Sequence, residues 1–138
     1  MNQPEVYPAA AYCGDISPQT AHQWWQAQQA FLVDVRTKAE CAWVGFIPGV
    51  PNMEWKSWPS MQNNTQFLAQ LQEGIPAGSK VLFLCRSGVR SIAAAQAAQA
   101  LGYQAYNILQ GFEGDLDAHG HRSQVGGWKY HGLPWQQG

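Results

Sequence analysis

The sequence predicts an α/β fold in which a central, mostly parallel β-sheet is covered by helices on both faces. Two short runs, Ala30 to Val35 and Lys80 to Cys85, are apolar on both faces of a predicted strand, which is typical of a strand buried between two helical layers. Weaker strands are predicted over Ala105 to Leu109 and near Phe46 to Val50. Helical segments alternate with these strands, and such alternation favours a parallel sheet.

The first two predicted helices begin with side chains that can cap a helix N-terminus. Ser17 precedes Pro18, which is the preferred order of an N-cap residue and the first helical residue. Thr37 is followed three positions later by Glu40, which is the spacing of a capping box. We therefore expect one helix before the strand that begins at Ala30 and a short helix directly after that strand.

Two further helices are predicted in the second half of the chain. Asn63 or Asn64 is expected to cap a helix that carries apolar residues on one face. The clearest helical segment runs from about Gly88 to Leu101, because it is rich in alanine and is followed by Gly102, a residue suited to the left-handed conformation at a helix end. This helix begins shortly after the Lys80 to Cys85 strand.

The length and composition indicate one globular domain over residues 1–138, in which residues 119–138 are expected to form an irregular extension. The chain is 46% hydrophobic and 12% charged, and its net charge is −1. Nucleic acids and anionic membranes are bound by basic surfaces, so this charge argues against both partners. No apolar run approaches the roughly 18 residues of a membrane span. Met1 to Pro8 lack the features of a secretory signal, so we expect a polar, partly frayed lead-in and a cytoplasmic location.

The three cysteines, Cys13, Cys41 and Cys85, are widely spaced and form no C-x-x-C pair. An odd number at such spacing is not typical of a disulfide framework, and we expect three free thiols in a reducing compartment. Nothing around Cys13 or Cys41 distinguishes either from an ordinary buried cysteine. The four histidines do not combine with the cysteines at the spacing of a zinc site. We therefore expect neither a metal nor any other cofactor.

The chemistry that the sequence indicates is concentrated in residues 85–91, CRSGVRS, where the strongest strand meets the strongest helix. Ligands of open parallel sheets bind beyond the carboxyl ends of the strands, and Cys85 lies at such an end. The N–H groups that begin the following helix, together with Arg86 and Arg90, are expected to surround its sulfur with positive charge and to stabilise a thiolate. Gly88 permits a tight loop.

Two segments of the sequence resemble the rhodanese family. CRSGVRS after VLFL resembles the active-site loop of that family, a short cradle centred on a cysteine. LVDVRTKAECAWVGFIP, over residues 32–48, resembles the family's DVR…E…GHIPGA stretch. The two matches occur in the family's order and spacing, and the resemblance covers about residues 14–118. It implies a rhodanese-like α/β fold.

The resemblance also implies roles for individual positions. Cys85 matches the nucleophile that carries sulfur as a persulfide. The positions that match the substrate-binding part of the loop are Arg86, Ser87, Gly88, Val89 and Arg90. The positions that match supporting residues are Asp34, Arg36 and Glu40, and in the family the acidic residue usually pairs with the arginine of the DVR motif. Because Glu40 follows Arg36 by four positions, helical spacing also favours that pair.

The activity that the resemblance implies is the transfer of a sulfane sulfur in two steps. The Cys85 thiolate takes the outer sulfur of a small anionic donor such as thiosulfate, and the persulfide then passes it to cyanide or to a thiol. The expected partners are therefore a small anionic sulfur donor and a nucleophilic acceptor. A protein that exchanges sulfur with this chain is a further possible partner.

Two other functions are compatible with parts of the sequence. The loop of cysteine phosphatases has one more residue between its Cys and its Arg, whereas four residues separate Cys85 from Arg90 here. A smaller ring of N–H groups suits one sulfur atom better than a phosphate. The alternative that stays open is a persulfide relay or an interaction module of the same fold, since the seven tryptophans leave room for a protein-binding surface.

Overall fold

The computed structural model describes residues 5–137. The strands of its main sheet are Tyr7–Pro8 (β1), Gly14–Ile16 (β2), Phe31–Asp34 (β3), Lys80–Leu84 (β6) and Gln104–Ile108 (β7); the strands of a small antiparallel pair are Lys56–Ser57 (β4) and Gln62–Asn63 (β5). The main sheet has the order β1-β2-β7-β6-β3. All of its pairs are parallel except β1 with β2. The predicted mostly parallel sheet is therefore confirmed.

The helices that the structure describes between residues 5 and 137 are Pro18–Gln26 (α1), Lys38–Val44 (α2), Phe67–Gly74 (α3) and Val89–Ala100 (α4). The first two begin as the sequence predicts. The Ser17 side chain accepts a hydrogen bond from the Thr20 N–H, and Thr37 forms a reciprocal capping box with Glu40. Gly102, with φ of +97°, follows α4 in the predicted left-handed conformation.

The main sheet separates two clusters of buried apolar side chains. On one face, Phe83 and Cys85 pack with apolar residues of α3 and α4. On the other face, Leu82 and Leu84 pack with residues of α1 and with Trp128. Successive side chains of a strand point to opposite faces of the sheet, so both faces of β6 are covered. This burial explains why the strand has no polar face in the sequence.

The strand predicted near Phe46 to Val50 is not formed. Phe46 makes only an isolated antiparallel bridge to Gln136, and the remaining parallel strand of the sheet is Gly14–Ile16 instead. Pro48 lies within the segment and has no N–H with which to continue a ladder of hydrogen bonds. The apolar residues of this segment therefore contribute to the core from a loop.

The predicted N-cap of α3 is also wrong. Asn63 belongs to β5, and the helix begins at Phe67 with Gln66 as its N-cap residue. The Asn64 side chain accepts a hydrogen bond from the Gln66 N–H at 3.0 Å, so it closes a turn just before the helix. Asn64 therefore stabilises a turn two residues before the N-cap position instead of capping the helix itself.

The two ends of the described chain differ in how they join the core. Of the expected lead-in, residues 1–4 lie outside the described residues, whereas Tyr7–Pro8 pair with β2 as an edge strand. Residues 119–137 contain no helix or strand, yet Trp128 is fully buried against the sheet. Across residues 5–137, every helix is too short or too polar to cross a membrane.

Candidate active site

Cys85 follows the last residue of β6 and lies at the carboxyl edge of the sheet. It is 1% exposed. Asp34, which ends the neighbouring strand β3, is in register with Leu84, so Asp34 and Cys85 lie at the same edge of the sheet. Parallel strands joined by crossovers place their carboxyl ends together, which is why the sequence could predict this arrangement.

Two hydrogen-bonding groups of the described chain contact the Cys85 sulfur. The Gly88 N–H donates to Sγ with an N···S distance of 3.0 Å. The Ser91 hydroxyl oxygen lies 3.2 Å from the same sulfur. Gly88 has φ of +118°, a conformation that favours glycine, and it is the N-cap residue of α4. The tight turn from strand to helix therefore aims a backbone donor at the sulfur.

Behind the sulfur, a chain of hydrogen bonds runs from Ser91 through Asn107 and Asp15 to Tyr12. Ser91 Oγ donates to Asn107 Oδ1 at 2.5 Å, and Asn107 Nδ2 donates to Asp15 Oδ1 at 3.0 Å. The Tyr12 hydroxyl donates to the same Asp15 oxygen at 2.8 Å. Burial and this bond to Asp15 raise the pKa of Tyr12 to about 12. The polar groups behind the sulfur are thus satisfied by one another.

The direction of these hydrogen bonds limits what Ser91 can do for the sulfur. The Asp15 carboxylate only accepts, so it turns the Asn107 amide with its oxygen towards Ser91. A hydroxyl has one proton, and Ser91 uses it on Asn107. A protonated Cys85 therefore donates to Ser91, whereas a Cys85 thiolate can gain the Ser91 proton only if that hydroxyl leaves Asn107.

The segment that follows β7 supports the loop through contacts with its backbone carbonyl groups. Phe112 N–H donates to the Cys85 carbonyl at 2.8 Å, and Glu113 N–H donates to the Arg86 carbonyl at 3.0 Å. Gly111, with φ of +62°, lies so close that a Cβ there would be 2.4 Å from the Cys85 carbonyl oxygen. Because the loop carbonyls face this segment, the loop is fixed in a conformation that only glycine at position 111 allows.

Arg90 and Glu40 form an ion pair that joins the loop to α2. Nη1 and Nη2 of Arg90 bind the two carboxylate oxygens of Glu40 at 2.6 Å and 2.8 Å. Although burial alone would raise the pKa of Glu40, the hydrogen bonds from Arg90 and from the Thr37 N–H lower it to about 2. The hydrogen bonds to Glu40 and its negative charge also raise the pKa of Arg90. Arg90 is therefore held beside the loop rather than left free in solvent.

This pair corrects the expected partnership of Arg36 and Glu40. Arg36 is fully buried and binds Asp34 instead, with Nη2 2.6 Å from Oδ2 and Nε 3.0 Å from Oδ1. Its guanidinium also lies 4.0 Å from the centroid of the Phe112 ring. The helix begins only at Lys38, so Arg36 precedes it and helical spacing does not apply. Asp34 and Arg36 brace the end of β3.

The remaining loop residues lie towards solvent. Arg86 is 46% exposed along its side chain and forms an ion pair with Glu113, with Nε 3.1 Å from Oε2. Ser87 is half-buried and Val89 is exposed. Both loop arginines are thus compensated by carboxylates. The sulfur therefore receives less unbalanced positive charge than the sequence led us to expect.

Cys13 and Cys41 have surroundings that differ from those of Cys85. Both are half-buried, and all three thiols are free. Burial, together with the nearby Asp34 carboxylate, raises the pKa of Cys41 to about 12. Within residues 5–137, no three His, Cys, Asp or Glu side chains are grouped so that they could hold a metal ion.

Three residues at the site were given no role from the sequence, although Ser91 belongs to the predicted segment 85–91. Ser91 contacts the sulfur, Asn107 accepts a hydrogen bond from Ser91, and Gly111 supports the loop. A signal for Asn107 was present, because a polar residue inside the apolar strand Gln104–Ile108 needs a buried partner. Gly111 carries no local signal, since the contact that requires it is with a distant segment.

Comparisons with known proteins identify the family and the fold of this chain. The family model of the rhodanese-like domain matches residues 17–118. The chain is 43% identical over 112 residues to the uncharacterized protein RP600 of Rickettsia prowazekii, which covers 78% of this chain and 83% of that protein. The crystal structure of Rv0390 from M. tuberculosis has a TM-score of 0.82 and 46% sequence identity, covering 92% of this chain and 99% of that one. The chain therefore belongs to the rhodanese-like family.

A more distant likeness concerns the fold alone. The solution structure of the polysulfide-sulfur transferase homodimer from Wolinella succinogenes has a TM-score of 0.61. The two sequences are 19% identical, and the match covers 90% of this chain and 78% of that one. Fold by itself does not define an activity, so the function has to be argued from the site.

Proposed function

We propose that this protein is a sulfurtransferase that carries a sulfane sulfur as a persulfide on Cys85, taking it from an anionic donor such as thiosulfate and delivering it to cyanide or a thiol. The single observation that carries the proposal is the position of the Cys85 sulfur. It lies at the end of a buried strand with the Gly88 N–H directed at it from 3.0 Å. A sulfur that bears negative charge would accept this hydrogen bond more strongly than a neutral one.

The first half-reaction forms the persulfide. The Cys85 thiolate attacks the outer sulfur of thiosulfate, a new S–S bond forms, and the bond to the sulfonate sulfur breaks. Sulfite leaves with the electron pair of that bond. The first-turn N–H groups of α4 have no acceptor within the helix, so they are available to the terminal sulfur of the persulfide.

The second half-reaction regenerates the Cys85 thiolate. The acceptor attacks the terminal sulfur, the persulfide S–S bond breaks, and its electron pair returns to Cys85. Dividing the transfer into two displacements predicts ping-pong kinetics. Cyanide leaves as thiocyanate in this scheme, and a thiol acceptor leaves as a persulfide.

The other residues predicted for the site have distinct parts in the proposal. The donor lies against the loop formed by Arg86, Ser87, Gly88, Val89 and Arg90. Because Glu113 and Glu40 compensate the two arginines, the arginines act mainly by shaping the loop entrance. Asp34, Arg36 and Glu40 support the loop and the end of β3. Three free cysteines agree with action in the cytoplasm.

The decisive experiment measures the persulfide directly. The purified protein is treated with thiosulfate in the absence of reducing agents, and its intact mass is compared before and after treatment. We expect the addition of one sulfur atom, mapped by peptide analysis to Cys85, and its removal by cyanide. Cys85→Ser should abolish both the adduct and thiosulfate:cyanide sulfurtransferase activity, because it removes the nucleophile.

Matched controls come from the other two cysteines. Cys13→Ser and Cys41→Ser should keep the adduct and the activity, since the Cys13 thiol donates to Gln99 and the Cys41 thiol to Asp34. An adduct on Cys41, or activity that survives in Cys85→Ser, would refute the assignment of the site. A wild-type protein that gains no sulfur would refute the proposed function.

A further inference from the structure

A pocket adjoins the outer side of the Cys85 loop. Its volume is about 410 Å³. Its lining residues include Arg86 and Arg90 from the loop, and its apolar wall is formed by Trp43, Val44, Trp58 and Met61. Small-molecule sites occupy roughly 300–1,000 Å³. Cyanide and thiosulfate consist of a few atoms each, so either would leave most of this pocket empty.

The charges around the pocket compensate one another. Each charged side chain of the lining belongs to one of two ion pairs, Arg90 with Glu40 and Arg86 with Glu113. The pocket therefore has no net charge to attract an anion. Since desolvating such pairs further is unfavourable, a charged ligand gains little by entering. A neutral, apolar group fits this environment better.

The two tryptophans of the apolar wall are exposed. Trp43 at the end of α2 is 61% exposed, and Trp58 after β4 is 52% exposed. Their rings meet edge to face, with centroids 5.2 Å apart and planes at 86°. Such a pair offers one free ring face and one free edge to a third aromatic group. Large aromatic side chains at this exposure beside a reactive loop mark a binding surface.

We propose that the acceptor is a small organic thiol with an apolar, preferably aromatic, substituent that packs against Trp43 and Trp58 and directs its sulfur towards the loop. This inference rests on the proposed function. The donor anion needs only the loop N–H groups, which leaves the aromatic wall for the acceptor. The inference names one class of thiol, whereas the proposed function admits cyanide or any thiol.

The chemical step is the second displacement with this acceptor. The thiol loses its proton to solvent, and its thiolate attacks the terminal sulfur of the Cys85 persulfide. One S–S bond forms between the two sulfurs and the persulfide S–S bond breaks. The products are the organic persulfide and the Cys85 thiolate, so no external oxidant or reductant is needed.

The test compares acceptors with protein that has first been loaded with sulfur from thiosulfate and freed of excess donor. Single-turnover loss of the persulfide is measured with phenylmethanethiol, 2-mercaptoethanol and cyanide. Each thiol rate is divided by the rate of the same thiol with a small-molecule persulfide, which removes differences in intrinsic reactivity. We expect phenylmethanethiol to exceed 2-mercaptoethanol by about tenfold, the effect of one buried aromatic contact.

Variants locate the effect on the aromatic wall. Trp43→Ala and Trp58→Ala should each reduce the ratio of the phenylmethanethiol rate to the cyanide rate by about fivefold. Trp43→Phe should restore most of that ratio, because it keeps an aromatic ring. The matched control is Phe31→Ala, which removes an exposed aromatic side chain at the start of β3, the opposite end of the strand from Asp34. It should leave the ratio unchanged.

The outcomes separate the two proposals. If the loaded persulfide reacts with cyanide but the normalised rates with the two thiols are equal, the inference is overturned and the proposed function stands. The pocket would then serve a larger occupant, such as a protein segment, or none. An unchanged ratio in both tryptophan variants would also overturn the inference. If no persulfide can be loaded, both proposals fail.

Discussion

The loop of residues 85–91 has two sides that differ in burial, charge and connection to the rest of the chain. On the inner side, Ser91 and Asn107 are buried and uncharged, and each has its hydrogen bonds supplied by a neighbour. On the outer side, Arg86 and Arg90 lie in ion pairs beside the exposed Trp43. The inner side therefore sets the geometry of the sulfur, whereas the outer side determines what can approach it.

The difference has a physical cause. A buried polar group that loses its partner keeps the full cost of leaving water, so the inner side tolerates little change. Partly exposed ion pairs are screened by solvent, so each contributes little to the free energy of unfolding. Removing an exposed aromatic ring also costs little stability, because the ring buries little surface. Substitutions on the inner side should therefore affect stability most, and those on the outer side should affect selectivity.

The largest expected effect comes from Gly111→Ala. Its Cβ would lie 2.4 Å from the Cys85 carbonyl oxygen, and the residue has φ of +62°. We expect unfolding free energy to fall by about 2–4 kcal/mol, the sum of a steric displacement and an unfavourable backbone conformation. Denaturant unfolding measures this loss, and sulfur transfer should fall as well because the loop must move.

Gly120→Ala is the matched control for this substitution. Gly120 has φ of +76°, but nothing lies within 4 Å of the position where a Cβ would be. Gly120→Ala should lower the free energy of unfolding by only about 1 kcal/mol, because only the backbone conformation is unfavourable there. Equal losses in the two variants would contradict the idea that the segment after β7 fixes the loop by close contact.

Asn107→Ala should have the next largest effect. It deprives the Ser91 hydroxyl of its acceptor and removes a donor to Asp15. We expect a loss of about 2 kcal/mol in unfolding free energy, since one buried group is left without its partner. Thermal and denaturant unfolding would show this. Tyr12→Phe, at the far end of the same chain of hydrogen bonds, should cost less than about 1 kcal/mol. A smaller loss for Asn107→Ala than for Tyr12→Phe would exclude the proposed importance of the inner side.

The smallest of these effects concerns the outer ion pair and depends on pH. Glu40→Gln removes the charge that pairs with Arg90, while a glutamine oxygen can still accept the Thr37 N–H of the capping box. We expect the free energy of unfolding to fall by about 1–2 kcal/mol at neutral pH.

The pH dependence of this loss follows from the lowered pKa of Glu40. The pKa of Glu40 is about 2 in the folded protein, against an ordinary pKa of 4.5. The carboxylate therefore stabilises the fold above about pH 4.5, and this contribution is lost as the pH falls towards 2. The difference in stability between wild type and Glu40→Gln should shrink across that range. A difference that stays constant down to pH 2 would mean that the ion pair does not stabilise the loop.

Features that depend on neighbours along the chain were predictable from the sequence alone. The alternation of buried strands and helices, the caps at Ser17 and Thr37, and the position of Cys85 between a strand and a helix were all predicted. These features follow from periodicity and from capping chemistry, both of which act within a few residues. The common edge of Asp34 and Cys85 also followed, because crossovers between parallel strands have a fixed hand.

Contacts between polar groups that lie far apart along the chain depend on tertiary packing. Glu40 pairs with Arg90, 50 positions away, rather than with Arg36, because α2 starts after Arg36 and the helix instead carries Glu40 towards the loop. Asn107 meets Asp15, 92 positions away, because β7 lies beside β2. The packing of helices and the order of strands choose among several chemically suitable partners. Local sequence cannot make that choice, because it depends on the positions of segments that are far apart along the chain.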